Sequence, residues 1–455
     1  MGTGIAGFAL AVAMCVALES SSLTAQAPAE AVASPRPRDH VESDAPSDPT
    51  LWIPRALFAG PRLAFDVATL PLVGIAALED EYQVIDRAEE IFFNDDRTFG
   101  VFPTAFVETG NSPNVGVRIL HRDVAGRGER LRLRAGYGGV HRQVYAADLG
   151  TRPSTDQTRL AFGLGHRIED RGRFYGIGNA DVEPVVSRSP RHDPLTSVIE
   201  VPYLIAESWM EASGTVRPMP TLAVTLSERW RHRELDGTYS EPDESALVDV
   251  YDTSSLAGVG IDRIDLVVEL EVEFDTRKSV RADMPDDQPA TGWLLSGAVA
   301  RQVRSELLRS DFGRLRLDLN RYVDLYRGDR LLRLRLYGVW VAGAPERIPF
   351  PDLATLGGRE LLRGYPAGRF RDRISGLGSV EYRYPVTEGI SGYLFADAGR
   401  VYHDIGTLSL ASLRVGLGGG LRIYSADHTW LRLQFASSID GGLFFHLELN
   451  PDDDA

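Results

Sequence analysis

From Phe99 to Leu449, the chain contains many short segments in which apolar and polar residues alternate. An alternation with a period of two predicts β-strands that have one apolar face and one polar face. Clusters such as residues 281–289, rich in Asp and Pro, separate these segments and are typical of loops. The pattern therefore predicts an all-β domain over residues 99–449. The clearest alternating segments are residues 131–134, 268–274, 315–320, 334–337, 380–384, 431–435 and 446–449.

Two all-β architectures can produce this alternation. A soluble β-sandwich buries its apolar faces and leaves its charged faces in water. In this chain the polar face is often charged at several successive positions, as in a hydrated barrel lumen, and the apolar face often ends in an aromatic residue, as at a membrane interface. We therefore favour a transmembrane antiparallel β-barrel. At roughly 20 to 24 residues per strand and connection, residues 99–449 allow about 14 to 18 strands; an even number is expected, and we predict about 16.

The N-terminus has the organisation of an export signal. Residues 5–18 are apolar but too few to span a bilayer comfortably, and residues 25–27 (Ala-Gln-Ala) match a cleavage site. The first four residues carry no Lys or Arg, which departs from the usual pattern, but polar residues 19–22 disfavour a retained membrane anchor. We predict a signal peptide over residues 1–27 and a disordered linker, rich in Ala, Pro, Ser and Asp, over residues 28–50.

A different pattern occupies residues 51–98, where apolar residues recur three and four positions apart. It predicts an amphipathic helix that begins near Pro71. We expect this helical segment to pack against the barrel, and the alternative is that it plugs or gates the barrel opening. The chain ends in residues 450–455, an acidic tail that we interpret as solvated. The apolar positions of the predicted helix are Leu72, Ile75, Leu78, Tyr82 and Ile85.

Composition narrows the class of protein further. The 455 residues carry a formal net charge of −15, and the mean hydropathy is −0.15. The acidic balance argues against a nucleic-acid partner, because phosphate backbones bind basic faces. The low hydropathy, with no second long apolar run, excludes a helical membrane protein of many spans. The only cysteine, Cys15, lies in the predicted signal peptide, so a mature chain is expected to have no thiol chemistry.

Enzyme motifs are missing from the sequence. It contains no Gly-x-Ser-x-Gly and no His-Glu-x-x-His, and its nine histidines are scattered. Residues 416–420 (Gly-Leu-Gly-Gly-Gly) imitate a nucleotide-binding loop, but they lie inside a predicted strand over residues 413–423. We attribute these glycines to bending of the strand. We predict that the protein is not an enzyme and that it uses no cofactor or metal.

Four segments near the C-terminus resemble one known family. They resemble the C-terminal half of the BamA/TamA superfamily, which comprises outer-membrane assembly and translocation barrels that are also catalogued as bacterial surface antigens. Weaker matches are residues 274–277 (FDTR) and 173–179 (RFYGIGN). The resemblance covers roughly residues 99–449. The four segments are residues 356–365 (LGGRELLRGY), 368–373 (GRFRDR), 380–385 (VEYRYP) and 395–401 (FADAGRV).

In that superfamily a long extracellular loop folds back into the lumen, where the arginine of an Arg-Gly-aromatic tip engages acidic and aromatic residues on the following strands. A guanidinium can bind a carboxylate through two hydrogen bonds, and the adjacent glycine permits a tight turn. The alternative is that this contact only stabilises the barrel. The resemblance implies a tip formed by Arg363, Gly364 and Tyr365, with Glu381, Phe395 and Asp397 as its partners.

The resemblance also implies a location and a function. It implies a barrel in the outer membrane of a Gram-negative bacterium, in contact with outer-membrane lipid, that helps to insert or translocate protein or lipid substrates. Relatives usually carry periplasmic POTRA repeats before the barrel, but residues 28–98 leave no room for them beside the predicted linker and helix. We therefore expect a member without POTRA repeats. The alternative function is a passive pore or a structural surface-antigen barrel without transport activity.

Overall fold

The computed structural model describes residues 91–449, with gaps at residues 95, 97, 110–112, 141, 152–157, 180–199, 241–243, 255, 279–290, 305–308, 327–329, 388 and 425–428. The predicted signal peptide, linker and acidic tail lie outside the described residues, and so does most of the segment over residues 51–98. Among the described residues, no helix is long and apolar enough to cross a membrane.

Antiparallel strands make up most of the described chain. They are β1 (Phe99–Glu108), β2 (Asn114–His121), β3 (Arg130–Tyr137), β4 (Arg142–Gly150), β5 (Thr158–Phe174), β6 (Val201–Met219), β7 (Leu222–Asp236), β8 (Asp262–Asp275), β9 (Gly292–Arg304), β10 (Arg309–Tyr326), β11 (Arg330–Gly343), β12 (Ala354–Leu356), β13 (Phe370–Asp372), β14 (Ile374–Thr387), β15 (Ile390–Tyr402), β16 (Arg414–Tyr424), β17 (Thr429–Ser438) and β18 (Leu443–Leu449). A short helix, α1, spans Leu247–Val250, and 3₁₀ helices span Pro345–Arg347, Phe350–Asp352 and Ile405–Thr407.

Sixteen of these strands form one closed barrel. Each strand pairs with its neighbour in the chain, β11 pairs with β14, and β1 pairs with β18 to close the ring. The remaining strands, β12 and β13, form a separate two-stranded sheet within the connection from β11 to β14. The predicted all-β barrel and its predicted strand number are confirmed, and all seven alternating segments named above lie in barrel strands.

The alternation of side chains assigns one face of each strand to the lumen. On β15, Phe395 and Asp397 are buried, whereas the intervening Ala396 is only partly buried. On β11, the side chain of Leu336 is 63% exposed on the outer face. Apolar residues with this exposure around a closed barrel form the surface that lipid covers. Charged residues accordingly collect on the inner face.

One end of the barrel carries the long connections. An apolar cluster at this end joins three connections: Phe174 at the end of β5, Leu247 in α1, and Phe350 between β11 and β12 are all at most 1% exposed. The Phe174 and Phe350 rings meet edge to face with centroids 4.9 Å apart. Packing of this kind fixes the connection between β11 and β14 against the opposite side of the barrel.

At the other end, the described chain enters the barrel beside the closing strand pair. Residues 91–92 are helical, and Phe93 forms an isolated β-bridge with Gly100 of β1. The Phe92 ring lies 6.0 Å from the rings of both Phe102 on β1 and Trp430 on β17. These described residues of the N-terminal segment therefore pack against the barrel.

Candidate functional site

The connection between β11 and β14, residues 344–373, is the lumen loop. Its base is closed by β12 and β13, in which Ala354 pairs with Asp372 and Leu356 pairs with Phe370. Inside that base, the Gly358 amide donates to the Tyr365 carbonyl over 2.9 Å. The hairpin presents residues 357–369 as a folded tip.

Arg363 at the tip binds Asp397 of β15 with three hydrogen bonds. Its Nε and Nη2 atoms donate to the two carboxylate oxygens, each over 2.8 Å, and its backbone amide donates to Oδ2 over 2.9 Å. Ser379 of β14 joins the contact, because its hydroxyl donates to Asp397 over 2.6 Å. The fork geometry of the guanidinium makes this a charge-assisted bidentate pair, which is among the stronger hydrogen-bonded contacts in proteins.

The remaining guanidinium nitrogen of Arg363 reaches the neighbouring strand. Nη1 donates to Glu381 of β14 over 2.7 Å, and the guanidinium carbon lies 3.5 Å from the centre of the Phe395 ring. Glu381 also accepts a 2.7 Å hydrogen bond from Arg383. One arginine thus links the loop tip to two adjacent barrel strands.

These charges are almost completely withdrawn from water. Arg363 is 7% exposed, Glu381 is 3% exposed and Asp397 is 1% exposed. Burial disfavours the charge of Arg363, but Asp397 and Glu381 outweigh it and hold the pKa of this guanidinium above its ordinary value. Such a network stabilises the loop only while every member is present, because removal of one partner leaves an uncompensated buried charge.

Glycines on both sides of the contact let the backbones approach. Gly364 has a φ of +95°, a conformation that a residue with a Cβ rarely adopts. Gly416 on β16 packs against the backbone of Arg363, with the Arg363 carbonyl oxygen where a Cβ would stand. Cβ atoms on Gly418 and Gly420 would meet the rings of Phe395 and Tyr393. The interpretation that these strand glycines serve bending is therefore incomplete, since they also make room for the tip and for lumen aromatics.

Tyr365 anchors the other side of the tip. Its hydroxyl donates to Asp440 over 2.8 Å, and its ring meets Phe370 edge to face at 5.0 Å. Burial, and next the hydrogen bond and charge of Asp440, raise the pKa of this phenol above its ordinary value. Tyr365 therefore stays a neutral donor that connects the loop to the turn between β17 and β18.

The structure brings together all six residues that the family resemblance selected, namely Arg363, Gly364, Tyr365, Glu381, Phe395 and Asp397. Their role in function stays a prediction. Sequence reasoning missed Ser379, Arg383, Gly416 and Asp440. Ser379 and Arg383 could have been found, because they share the inner face of β14 with Glu381 by the period of two.

A second anchor of the lumen loop was also missed. Arg233 on β7 binds Asp352 of the loop through two hydrogen bonds, Nη1 to Oδ1 over 2.9 Å and Nη2 to Oδ2 over 2.5 Å. Arg231 lies 3.5 Å from the same carboxylate, and Asp265 on β8 lies 3.8 Å from Arg233. Burial opposes ionisation of Asp352, but Arg233, followed by Arg231, lowers the pKa of this carboxyl. The loop is thus fixed to two different walls of the barrel.

Residues of both weaker sequence matches form hydrogen bonds in the structure. Asn179, after β5, exchanges two hydrogen bonds with the backbone of Val401 on β15, of 2.8 and 3.0 Å. Arg277 binds Asp275 at the end of β8 through bonds of 2.9 and 2.8 Å. The first contact ties the connection after β5 to the strand that also carries Asp397.

Among the described residues, one group could supply three metal ligands: His232, Glu234 and Asp262. It lies on the outer faces of β7 and β8, and Glu234 and Asp262 are exposed. The contact of His232 with Asp262, over 2.8 Å, accounts for their proximity.

Known proteins share this barrel architecture. A family model described as the Omp85 superfamily domain matches residues 123–441. No curated protein matches the sequence significantly. Among solved structures, BamA from Haemophilus ducreyi lacking POTRA domains 1–3 is similar at 12% identity and a TM-score of 0.54, over 77% of this chain and 70% of that one.

Two further structures, both named CdiB, align less closely. The protein from Acinetobacter baumannii has 14% identity and a TM-score of 0.48, and that from Escherichia coli has 9% and 0.49. Each alignment covers 77% of this chain, but only 60% and 62% of those chains. The family match spans more than half of the sequence, and the closed barrel agrees with it. The chain therefore belongs to the Omp85 superfamily of outer-membrane β-barrels.

Proposed function

We propose that the barrel assists the insertion or translocation of protein or lipid substrates at the outer membrane of a Gram-negative bacterium, through its lumen and the seam between β1 and β18. The seam is the observation that carries the proposal. The described part of β18 pairs with Ala105–Glu108 of β1, and the Thr109 amide donates to the Phe445 carbonyl over 2.9 Å, so the first and last strands of the barrel meet directly.

The first and last strands of the barrel pair at the seam without a hairpin between them, so they can separate without straining a turn. Opening the seam then has to break only the backbone hydrogen bonds and side-chain contacts between these two strands. The lumen loop is fixed on the strands beside it, since Arg359 of the loop binds Glu448 of β18 over 3.0 Å. This link supports a coupling between the loop and the seam.

The alternative, a passive pore or a structural surface barrel, rests on the same loop. The apolar cluster and the buried ion pairs that hold residues 344–373 in the lumen would also serve stability alone. A reversible lock on the seam separates the two classes, because a structural barrel and a passive pore do not need the seam to open.

The test uses cysteine pairs at strand positions that face each other. Val107→Cys with Leu447→Cys would lock the seam, and Val117→Cys with Ala135→Cys would lock β2 to β3 as the matched control. Proteoliposomes that contain each variant are assayed for insertion of an unfolded outer-membrane barrel protein and for transbilayer movement of a fluorescent phospholipid. We expect the oxidised seam lock, but not the control lock, to block one of these activities, and reductant to restore it.

Two results would overturn the proposal. One is activity that persists with the seam locked, and the other is a wild-type chain that supports neither process. Planar-bilayer conductance then identifies the alternative, since steady large openings indicate a passive pore and silence indicates a structural barrel. Arg363→Glu adds a second readout, because it should abolish transport at matched barrel abundance.

A further inference from the structure

One part of the outer wall of the barrel is buried where exposed, lipid-facing side chains are expected. Tyr382 and Tyr384 on β14 alternate with Glu381, whose side chain faces the lumen, so both tyrosines face outwards. They are nevertheless only 3% and 1% exposed, and Leu325 of β10, which packs with them, is 1% exposed. We call this apolar cluster the outer patch, and its members are Leu325, Leu332, Tyr382, Tyr384 and Leu394.

The outer patch lies at the end of the barrel where residues 91–93 enter it. Its strands are joined there by the turns between β10 and β11 and between β14 and β15. Leu421 on β16 extends the patch, because it is the register partner of Gly392, over which the Tyr384 ring lies. Leu421 is 8% exposed, whereas Leu417, further from this end on the same face of β16, is 52% exposed. The burial is therefore confined to one end of these strands.

Depth in the membrane does not account for this burial. Leu160 on β5, Phe274 on β8 and Trp293 on β9 face outwards at the same end of their own strands, and they are 57%, 39% and 44% exposed. Contacts within the wall are also insufficient, because the stacked rings of Tyr382 and Tyr384, with centroids 5.5 Å apart, shield only the faces turned toward each other. A side chain on a convex wall needs neighbours outside that wall to become fully buried. A further segment must therefore lie over the outer patch.

Apart from residues 91–93, the described elements outside the barrel strands lie elsewhere. The helix α1 and the 3₁₀ helix Ile405–Thr407 are in connections at the opposite end, and the others belong to the lumen loop. Two stretches outside the described residues start at the right end but are polar, since residues 279–290 contain three Asp and two Pro and residues 450–455 contain three Asp. The segment that precedes Ile91 also reaches this end, and it has the apolar pattern that an apolar patch requires.

We propose that residues 71–90 lie across the outer patch as an amphipathic helix. The apolar positions predicted for this helix, from Leu72 to Ile85, recur on one face and would pack on the wall. A helix over residues 72–85 is about 20 Å long. The five neighbouring strands β10, β11, β14, β15 and β16 span about the same distance, at roughly 4.8 Å between strands. One helix of this length is therefore sufficient to cover the buried part of the wall.

The charges of the two surfaces are complementary. Residues 71–90 contain six acidic residues and one basic residue, and two of the acidic residues, Glu79 and Asp86, border the apolar face at 100° per residue. On the barrel, Arg321 of β10 and Arg330 of β11 lie on the outer face beside the patch. Ion pairs at the rim of the apolar contact would fix the position of the helix.

This placement differs from a plug, because the outer patch is on the wall that faces away from the lumen. It puts the helix at the edge of the bilayer, where an amphipathic helix can contact protein on one side and lipid on the other. The inference stands independently of the proposed transport activity, since it concerns only the barrel wall and the residues that precede it.

The first experiment measures the accessibility of the outer patch in the folded chain in detergent. Without the predicted signal peptide the chain contains no cysteine, because Cys15 is the only one, so single cysteines can be introduced. Tyr384→Cys should react with a maleimide at least tenfold more slowly than Trp293→Cys, which lies on the exposed wall at the same end. Equal rates would overturn the proposal.

Two pairs of substitutions then test which segment covers the patch. Leu78→Asp with Ile85→Asp puts two charges on the apolar face of the predicted helix and should raise the reaction rate of Tyr384→Cys at least tenfold. Ala76→Asp with Val84→Asp is the matched control, because it adds the same charges on the opposite side of the helix. It should leave the reaction slow. A slow reaction in the first pair, in a chain that still folds into a barrel, would contradict the assigned segment.

Photo-crosslinking tests the same placement with residues 71–90 unaltered, so it does not depend on the folding of the aspartate variants. p-Benzoylphenylalanine in place of Tyr384 should attach to the tryptic peptide of residues 63–87, and the same probe in place of Trp293 should not. A covalent dimer from Tyr384 would identify a second copy as the occupant, and attachment to lipid alone would show a bare wall. Either of these results overturns the proposal.

Discussion

Arg363 and Gly416 meet through their backbones, so that the carbonyl oxygen of Arg363 fills the place of a Cβ on Gly416. The register partner of Gly416 on β15 is Asp397, which binds the side chain of the same arginine. The loop tip therefore lies between the carboxylate of Asp397 on β15 and Gly416 on β16, which has no Cβ. Neither position has room for a larger side chain.

Gly416→Ala should displace the tip. A methyl group cannot coexist with the Arg363 carbonyl, and overpacking of this kind costs about 1–3 kcal/mol. We expect faster hydrogen exchange and faster proteolysis in residues 357–369. Gly376→Ala on β14 is the control, because its Cβ would lie 3.9 Å from the Tyr402 ring, an ordinary contact. Equal protection of the tip in both variants would contradict the close contact between Gly416 and the Arg363 backbone.

Arg363→Ala should destabilise the barrel by about 3–5 kcal/mol, because it leaves Glu381 and Asp397 buried beside each other without their shared cation. Arg363→Lys should recover only part of the loss, since an ammonium cannot bind Asp397 through a fork and also reach Glu381. The measurement is denaturant unfolding in detergent. Arg229→Ala, whose side chain is 46% exposed, should cost less than about 1 kcal/mol. A comparable loss in both variants would argue against a special role for Arg363.

Asp352→Asn should loosen the other anchor of the loop and leave the tip in place. The asparagine cannot balance the charge of Arg233, so hydrogen exchange should rise over residues 345–354 and stay unchanged over residues 357–369. Arg263→Gln would not serve as a control, because Arg263 lies 2.8 Å from Asp265 in the same cluster. Glu346→Gln, in the exposed 3₁₀ helix at the start of the loop, is the better control.

The same anchor predicts a pH dependence. The pKa of Asp352 is lowered in the folded state, so its contribution to stability is present above the ordinary carboxyl pKa of about 4 and is lost as the pH falls through the lower folded value. The difference in unfolding free energy between wild type and Asp352→Asn should therefore be constant from about pH 6 to 8 and shrink below about pH 4. A difference that already disappears near pH 6 would contradict the lowered pKa.

The alternation in the sequence was sufficient to predict the barrel, whereas the residues of the tip contact came from the resemblance to a known family. A strand with a lipid face and a lumen face must alternate, so segments such as residues 268–274 and 431–435 identify strands directly. The tip contact uses a contiguous Arg-Gly-Tyr motif and carboxylates within 35 residues of it, which a family pattern can hold.

The second anchor could not be found in this way. Arg233 and Asp352 are 119 positions apart, and their contact depends on how the loop packs against the wall formed by β7 and β8. No periodicity encodes that packing.

The aromatic contact beside the seam provides a final prediction. Pairing of β1 with β18 begins at Ala105 opposite Leu449, so residues 99–104 of β1 extend beyond the described end of β18. There the rings of Phe102 and Trp430 approach to 6.1 Å, and Phe92 packs on both. These contacts connect β1 to β17 beside the seam.

Phe92→Ala should therefore weaken this part of the seam. Aromatic pairs contribute about 0.5–1.5 kcal/mol each beyond the burial of their area, so hydrogen exchange should accelerate in residues 99–104 while the lumen loop stays protected. Phe435→Ala is the control, because its ring pairs with Phe445 at 5.2 Å on the outer face of β17 and β18. If Phe435→Ala accelerates exchange in residues 99–104 as much as Phe92→Ala does, the N-terminal segment does not stabilise the seam specifically. If only Phe92→Ala does so, the residues that precede the barrel help to keep the pairing of β1 with β18 closed.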